Sequence, residues 1–342
     1  MNDMATMASP ILKWAGGKRQ LIRVIDTQLP STLKNGEIEN YWEPMIGGGA
    51  VFFHIKNKYG PKIENYYISD YNWDLFVLYR VVQSHVEQLI DELQHLSDQY
   101  LPLPPIKKGQ KTGKRITMFK RLREEYNHPK WVELRYRKDG RTPRKRYHKD
   151  WIRRACLTIF LNRTCFNGLY RVNANGEFNV PHGRYDKPDI VNANNLRAVT
   201  KILKDVKINV GTYSNFITAI GSKSFVYFDP PYRPLPNTNS FKDYHKAQFG
   251  DEEQLELANL CRELDRRGVQ FLLSNSDPKN TDETDDFFDE AYSGFQLIRT
   301  GANRNINSDG KKRGKISEIL VRNYSVKGRR QQTLSSDSSV GI

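Results

Sequence analysis

Cysteine is scarce in this chain: only Cys156, Cys165 and Cys261 occur in 342 residues, and no two of them form a CxxC pair. That count argues against a disulfide scaffold and a structural zinc site, and it fits a reducing compartment. The seven histidines form no ligand cluster, so no metal is expected. No apolar run approaches the roughly 18 residues that a membrane-spanning helix needs. No secretory leader is legible either, so a soluble cytoplasmic protein is the expectation. Acidic charge is also short, with 39 Asp and Glu against 54 Lys and Arg, a formal charge of +15 and a pI near 9.5. Such a balance favours a polyanionic partner.

The excess charge is concentrated. Residues 101–150 hold 17 Lys and Arg and five Asp and Glu, which is +12 of the total +15. The segment opens on Leu101-Pro102-Leu103-Pro104-Pro105, a break in regular structure, and a helical stretch follows around Phe119–Tyr126. A second basic patch runs from Arg135 to Lys149, with Asp139-Gly140 as a hairpin-turn candidate. Trp131, Tyr136, Tyr147 and Trp151 interleave these charges and can either anchor the segment or lie near a nucleic acid. A solvated basic face is the plain alternative, but charge gathered in one segment favours phosphate contact. Residues 327–342 read as a basic, Ser-rich tail expected to be disordered.

The rest of the chain alternates strands and helices. Strand candidates are Tyr66–Ser69, Lys207–Val210, Phe225–Phe228, Phe271–Ser274, Gln296–Thr300 and Glu318–Val321, all short and apolar as buried parallel strands should be. Helical stretches include Val51–Lys58, Trp73–Ser97, Ile152–Leu161 and Asp251–Arg267. This alternation predicts an α/β, doubly wound sheet with ligands beyond the carboxyl ends of its strands.

Three clusters fall where such a site would form. Asp229-Pro230-Pro231-Tyr232 follows the strand candidate Phe225–Phe228. An acid, a rigid double proline and an aromatic ring suit a planar amine, although the same four letters also read as a tight turn with a surface tyrosine. Lys13-Trp14-Ala15-Gly16-Gly17-Lys18 sets two glycines between a tryptophan and a lysine. Glu43-Pro44-Met45-Ile46-Gly47-Gly48-Gly49-Ala50 is a glycine-rich loop that matches neither GxGxxG nor a GK[ST] phosphate loop. Asp70, about 20 residues on and just after a strand, stands where an acid can accept the hydroxyls of a cofactor ribose. Each glycine cluster alone is more often a plain loop; their conjunction with Asp70 and the acidic tetrapeptide points to a site.

Taken together, the chain resembles the DNA adenine-N6 methyltransferases of the Dam class, which modify GATC. Lys13–Lys18, Glu43–Phe52, Ser69–Leu75, Thr164–Tyr185, Asp229–Tyr232 and Lys315–Tyr324 match in the family's order and span nearly the whole chain. The resemblance implies a Rossmann-like S-adenosylmethionine-dependent methyltransferase sheet with an inserted, mainly helical DNA-recognition domain containing a β-hairpin. Residues 1–75 and 197–326 would then be catalytic and 76–196 would recognise the target, with a basic addition near 129–149 that shorter members lack.

The family's roles carry over position by position. Trp14, Gly17, Lys18, Glu43, Pro44, Gly47, Gly49, Asp70 and Asp229 would line the S-adenosyl-L-methionine pocket. Asp229, Pro230 and Tyr232 would be catalytic: Asp229 and the Pro230 carbonyl accept the amine hydrogens of an extruded adenine while Tyr232 stacks on it. Methyl transfer would be direct and in line, leaving S-adenosyl-L-homocysteine, with no metal required. Lys13, Asn167, Leu169, Arg171, Asn173 and Pro181 would face double-stranded DNA, with Asn175-Gly176 as the turn of a hairpin and Arg171 meeting guanine. The chain departs from the family at Met45, where a phenylalanine is usual, and at Thr212-Tyr213, where many members have Asp-Phe. A monomer suffices for a palindromic target. The mark could serve regulation, repair or replication, or protect DNA from a cognate restriction endonuclease.

Overall fold

A computed structural model describes residues 7–135, 143, 145–173, 175–234, 249–303 and 315–326. Seven strands form one sheet: β1 Asn40–Glu43, β2 Asn65–Asp70, β3 Val206–Val210, β4 Ser224–Phe228, β5 Gln270–Ser276, β6 Gln296–Asn303 and β7 Lys315–Arg322. Their order across the sheet is β3-β2-β1-β4-β5-β7-β6. The first five run parallel, and β7 is inserted antiparallel between β5 and β6.

Two expectations need correcting. The sheet is not wholly parallel: β7 pairs antiparallel with both β5 and β6, so it alone runs against the other strands while β6 keeps their direction. Trp73–Ser97 is two helices, not one: the chain leaves helical geometry at His85 (φ −139°, ψ 37°) and restarts at Val86. One strand, β1, has no counterpart among the sequence candidates. It is only four residues long and carries a polar residue at each end, so its sequence shows no strand period.

Both faces of the sheet are covered, as parallel strands require. On β4 every residue is buried, and the two-residue period divides them. Phe225 and Tyr227 join one apolar cluster with Tyr41, Tyr66 and Leu272, while Val226 and Phe228 join the other with Phe271, Leu273 and Val321. Helices α1 Ile22–Gln28, α2 Ser31–Asn35 and α3 Ala50–Tyr59 precede β2. Between β2 and β3 the described residues form α4 Trp73–Ser84, α5 Val86–Tyr100, α6 Lys114–Tyr126, α7 Lys130–Arg135, α8 Asp150–Thr164 and α9 Ala193–Leu203. Helices α10 Asp251–Arg266 and α11 Phe287–Ala291 cover the second face.

Helix α4 joins the sheet to the helical region, packing on β2 and β3 and also on α8. Trp151 of α8 is fully buried and meets Trp73 and Phe76 edge-on at 5.9 and 5.6 Å. Trp131 is buried too, and Tyr147 stacks on His85 at 4.1 Å, so these rings anchor the basic segment. Tyr136 and the expected turn at Asp139-Gly140 lie outside the described residues. All three cysteines are buried and unpaired. No helix among the described residues is long and apolar enough to cross a membrane.

Candidate active site

The sheet order reverses direction at β1, so the carboxyl ends of β1 and β4 diverge into a crevice, the usual ligand position in such folds. Asp229 is the first residue past β4, Glu43 the last of β1, and Asp70 the last of β2. Three acidic residues therefore stand at the carboxyl ends of neighbouring central strands.

Asp229 lies at the centre. Its Oδ1 receives Lys18 Nζ at 2.6 Å and Ser274 Oγ at 3.1 Å. Its Oδ2 accepts no hydrogen bond among the described residues, and the side chain keeps 23 % exposure. The loop is held from behind: Gln254 Nε2 of α10 donates to the Pro231 carbonyl at 2.9 Å, and Gln254 Oε1 accepts from Asn275 Nδ2 at 3.2 Å. Arg233 adds ion pairs with Asp251 and Asp285 at 2.7 and 2.6 Å. The Pro230 carbonyl accepts nothing among the described residues. Tyr232 is 38 % exposed, which leaves an aromatic side chain open to a planar group.

Lys18 is 2 % exposed and also reaches Gly16 O at 2.9 Å, Tyr232 Oη at 3.2 Å and Glu318 Oε2 at 3.7 Å. Burial pulls its pKa down, but Asp229, Tyr232 and Glu318 outweigh burial and hold the ammonium above its ordinary range. Burial raises the Asp229 carboxyl above the usual aspartate value, against the opposing pull of Lys18. Glu318 is raised for the same reason.

The glycine-rich loop forms a cradle beside this group. Gly47 has φ +48°, and a Cβ there would stand 3.0 Å from the Trp14 ring. Gly49 has φ +73°, and its Cβ would fall 2.9 Å from Tyr79 Oη. Both positions therefore require glycine on backbone and steric grounds. Asp70 accepts the backbone N–H of Gly47 at 2.9 Å and of Asn72 at 2.8 Å, yet burial still lifts its carboxyl to about 6. Glu43 is buried against Tyr41 Oη, and burial pushes its carboxyl well above the usual range. The Pro44 carbonyl accepts Ser69 Oγ at 3.3 Å, and Gly17 closes a turn onto Trp14 O at 3.2 Å. Met45 packs with the second apolar cluster. Thr212-Tyr213 lies beside Asp70, because Gly211 N donates to Asp70 O at 3.1 Å.

The expected recognition residues are held by the Asn162 side chain and by the hairpin that follows α8. Lys13 N and O pair with the Asn162 side chain at 3.0 and 2.9 Å, and Asn162 also holds Gly168 O at 2.8 Å. Lys13 is thereby set against Gly168, where a Cβ would stand 2.9 Å from its side chain; Asn167 before it has φ 58°, and Leu169 after it is half-buried against the core. Beyond them the chain forms a hairpin, bridged at Val172–Phe178, with Asn173 N donating to Glu177 O at 2.8 Å. Asn173 Oδ1 accepts the N–H groups of Asn175 and Glu177 at 3.0 and 2.9 Å, so this side chain shapes the turn. Arg171 Nε donates to Asn179 Oδ1 at 2.8 Å, and its two Nη nitrogens make no hydrogen bond among the described residues. Pro181 O receives Phe166 N at 2.8 Å, and Pro181 lines a cleft of about 250 Å³ with Lys111, Lys120, Arg123 and Arg184.

Several residues of the site have no role assigned to them by the sequence. Asp74 receives Arg154 at 2.8 and 3.0 Å, and Tyr126 Oη and Tyr170 Oη each at 2.9 Å. Tyr170 in turn stacks on Trp14 at 4.8 Å, linking the hairpin to the glycine cradle. Ser274, Gln254 and Asn275 support the Asp229 loop from β5 and α10. Glu318 belongs to a segment matched by resemblance, but only the antiparallel β7 brings it to Lys18.

Comparison with known proteins agrees with this geometry. Residues 14–306 match the model of the D12 class N6 adenine-specific DNA methyltransferases. A type II methyltransferase of Methanocaldococcus jannaschii is 42 % identical over 92 % of this chain and 99 % of its own length. Another, from Lactococcus lactis, is 32 % identical over 92 % of this chain and 95 % of its own. The DNA adenine methylase of Escherichia coli K12 is 31 % identical over 91 % of this chain and 93 % of its own.

Proposed function

This chain belongs to the D12 class of N6 adenine-specific DNA methyltransferases, and from that premise we propose that it modifies adenine within GATC in duplex DNA. It is a site-specific, S-adenosylmethionine-dependent enzyme. The observation that carries the mechanism is the Asp229 carboxylate at the switch point, pinned at Oδ1, with Oδ2 free of hydrogen bonds among the described residues and Tyr232 exposed beside it.

The cradle fits the cofactor. Gly47 and Gly49 leave room where a Cβ would collide, and Asp70 offers a buried carboxylate to ribose hydroxyls. Trp14, Gly17, Lys18, Glu43 and Pro44 complete the wall. When bound, S-adenosylmethionine supplies an electrophilic methyl group on a sulfonium.

The chain's own groups prepare the amine. Adenine's exocyclic nitrogen is a weak nucleophile because its lone pair is delocalised into the ring. Tyr232 holds the extruded base in plane, and the Asp229 carboxylate and Pro230 carbonyl accept the two amine hydrogens. That pull favours a tetrahedral nitrogen and stabilises the positive charge that grows on it. The amine so held would take the methyl group that the bound cofactor supplies, and the resulting ammonium is acidic enough to lose its proton to solvent afterwards. Asp229 is thus an orienting acceptor, and alignment supplies much of the rate.

Specificity is assigned to the hairpin. Arg171 would present its Nη nitrogens to guanine, and Lys13, Asn167, Leu169, Asn173 and Pro181 would form the adjoining surface. Residues 1–75 and 197–326 are the proposed catalytic domain and 76–196 the recognition domain. Asp229→Ala is expected to lower kcat by about 10²–10³-fold or more, since it removes a group aimed at developing charge. Gel-shift affinity for a GATC duplex should stay near wild type. Turnover that survives this substitution would refute the role given to Asp229.

A further inference from the structure

Lys18 holds one oxygen of the carboxylate that the amine needs, and its charge draws on the other. Its Nζ sits 2.6 Å from Asp229 Oδ1, and Ser274 already donates to the same oxygen. For the amine to draw fully on Asp229, the ammonium must slacken its hold without becoming an unpaired buried charge, which is costly. A second seat lies next to it. Glu318 Oε2 is 3.7 Å from Lys18 Nζ, is itself buried, and has no hydrogen-bond partner among the described residues. Glu318 Oε1 is fixed by Tyr232 Oη at 3.0 Å, so the carboxylate is held in place with its other oxygen facing the lysine. Tyr232 also bonds Lys18, at 3.2 Å, which joins the ring that stacks the base to the lysine that must move.

We propose that Glu318 is a positioning residue that receives the Lys18 ammonium from Asp229 when the adenine amine docks. This rests on the reading of Asp229 as the amine acceptor. The antiparallel insertion of β7 between β5 and β6 then has a catalytic consequence, because it delivers this carboxylate to the crevice. Burial raises both the Asp229 and Glu318 carboxyls above their ordinary values, while the Lys18 ammonium between them pulls both down.

The test compares Glu318→Gln, Lys18→Met and the double variant in the full-length chain, using labelled S-adenosylmethionine and a GATC duplex. Gln keeps the shape and the acceptor for Tyr232 but removes the negative charge. Glu318→Gln should lower kcat by about tenfold or more, with KM for cofactor and DNA within about twofold, the signature of an interaction used after binding. The double variant should be no slower than Lys18→Met alone, because Glu318 acts through that lysine. Fluorescence of 2-aminopurine at the target position should rise as in wild type, since base extrusion precedes the lysine's move.

A Glu318→Gln enzyme keeping more than half of wild-type kcat would overturn the proposal, as would losses that multiply in the double variant. Loss of the 2-aminopurine signal would also overturn it, by marking Glu318 as structural. If Asp229→Ala is inactive in parallel while Glu318→Gln is fully active, only the present proposal fails. If Asp229→Ala is active, the underlying reading fails with it.

Discussion

Asp70 shows how one residue's environment sets a measurable dependence. Burial lifts its carboxyl to about 6, although two backbone N–H groups favour the charged form. Because the folded value is raised, Asp70 contributes stability below the unfolded aspartate range, and that contribution is lost as pH rises through about 6. The ionised carboxylate is the better acceptor for ribose hydroxyls, so cofactor binding should show the opposite trend. Calorimetric titration with S-adenosylhomocysteine is expected to give weaker binding as pH falls below 6, and Asp70→Asn should bind weakly with a flattened profile. A wild-type affinity that does not change between about pH 5 and 7.5 would rule out this use of Asp70. Arg171 makes a second prediction at this scale. Arg171→Ala should reduce the ratio of kcat/KM between GATC and a site with an altered guanine, by about 1–3 kcal/mol of discrimination. An unchanged ratio would assign Arg171 to phosphate contact.

Elements are tied together by Asp74 in the first turn of α4, which binds Arg154 of α8, Tyr126 of α6 and Tyr170 of the hairpin. Burial raises the Asp74 carboxyl, but Arg154 overrides it and holds the group well below the usual aspartate range. With a depressed pKa, its contribution is present above the unfolded aspartate value and is lost only in strong acid. Asp74→Asn leaves Arg154 buried without its counter-charge and should cost on the order of 3–5 kcal/mol, read as a fall in the urea midpoint at neutral pH. A midpoint unchanged by the substitution would mean that the cluster is not what joins these elements. The sequence signalled Asp70, Asp229 and the glycine loop because each follows or leads a regular element in a short, recognisable pattern. It assigned no role to Asp74, Ser274, Gln254 or Glu318, whose partners lie 96, 45, 23 and 86 residues away. Nor did it signal β1, whose four residues carry no period and whose identity depends on β2 and β4 at its sides.

At the scale of the molecule, +12 of the +15 charge falls in residues 101–150, within the stretch of chain between β2 and β3. Part of the basic segment is structural: Trp131 is buried, and Arg135 stands 3.6 Å from Asp74. The cations around the Pro181 cleft have no carboxylate partner among the described residues. Removing residues 136–146, and so keeping α7 and α8, should shallow the slope of log affinity against log salt by about 0.9 for every phosphate that the stretch neutralises. An unchanged slope would assign that stretch to another partner.

The central claim is transfer of a methyl group to adenine N6 in a GATC context. The direct measurement incubates the full-length chain with methyl-labelled S-adenosylmethionine and two duplexes that differ only in the presence of GATC, followed by digestion to nucleosides. Label recovered as N6-methyldeoxyadenosine from the GATC duplex alone is the predicted result. Equal labelling of both duplexes, or label recovered on cytosine, would contradict it.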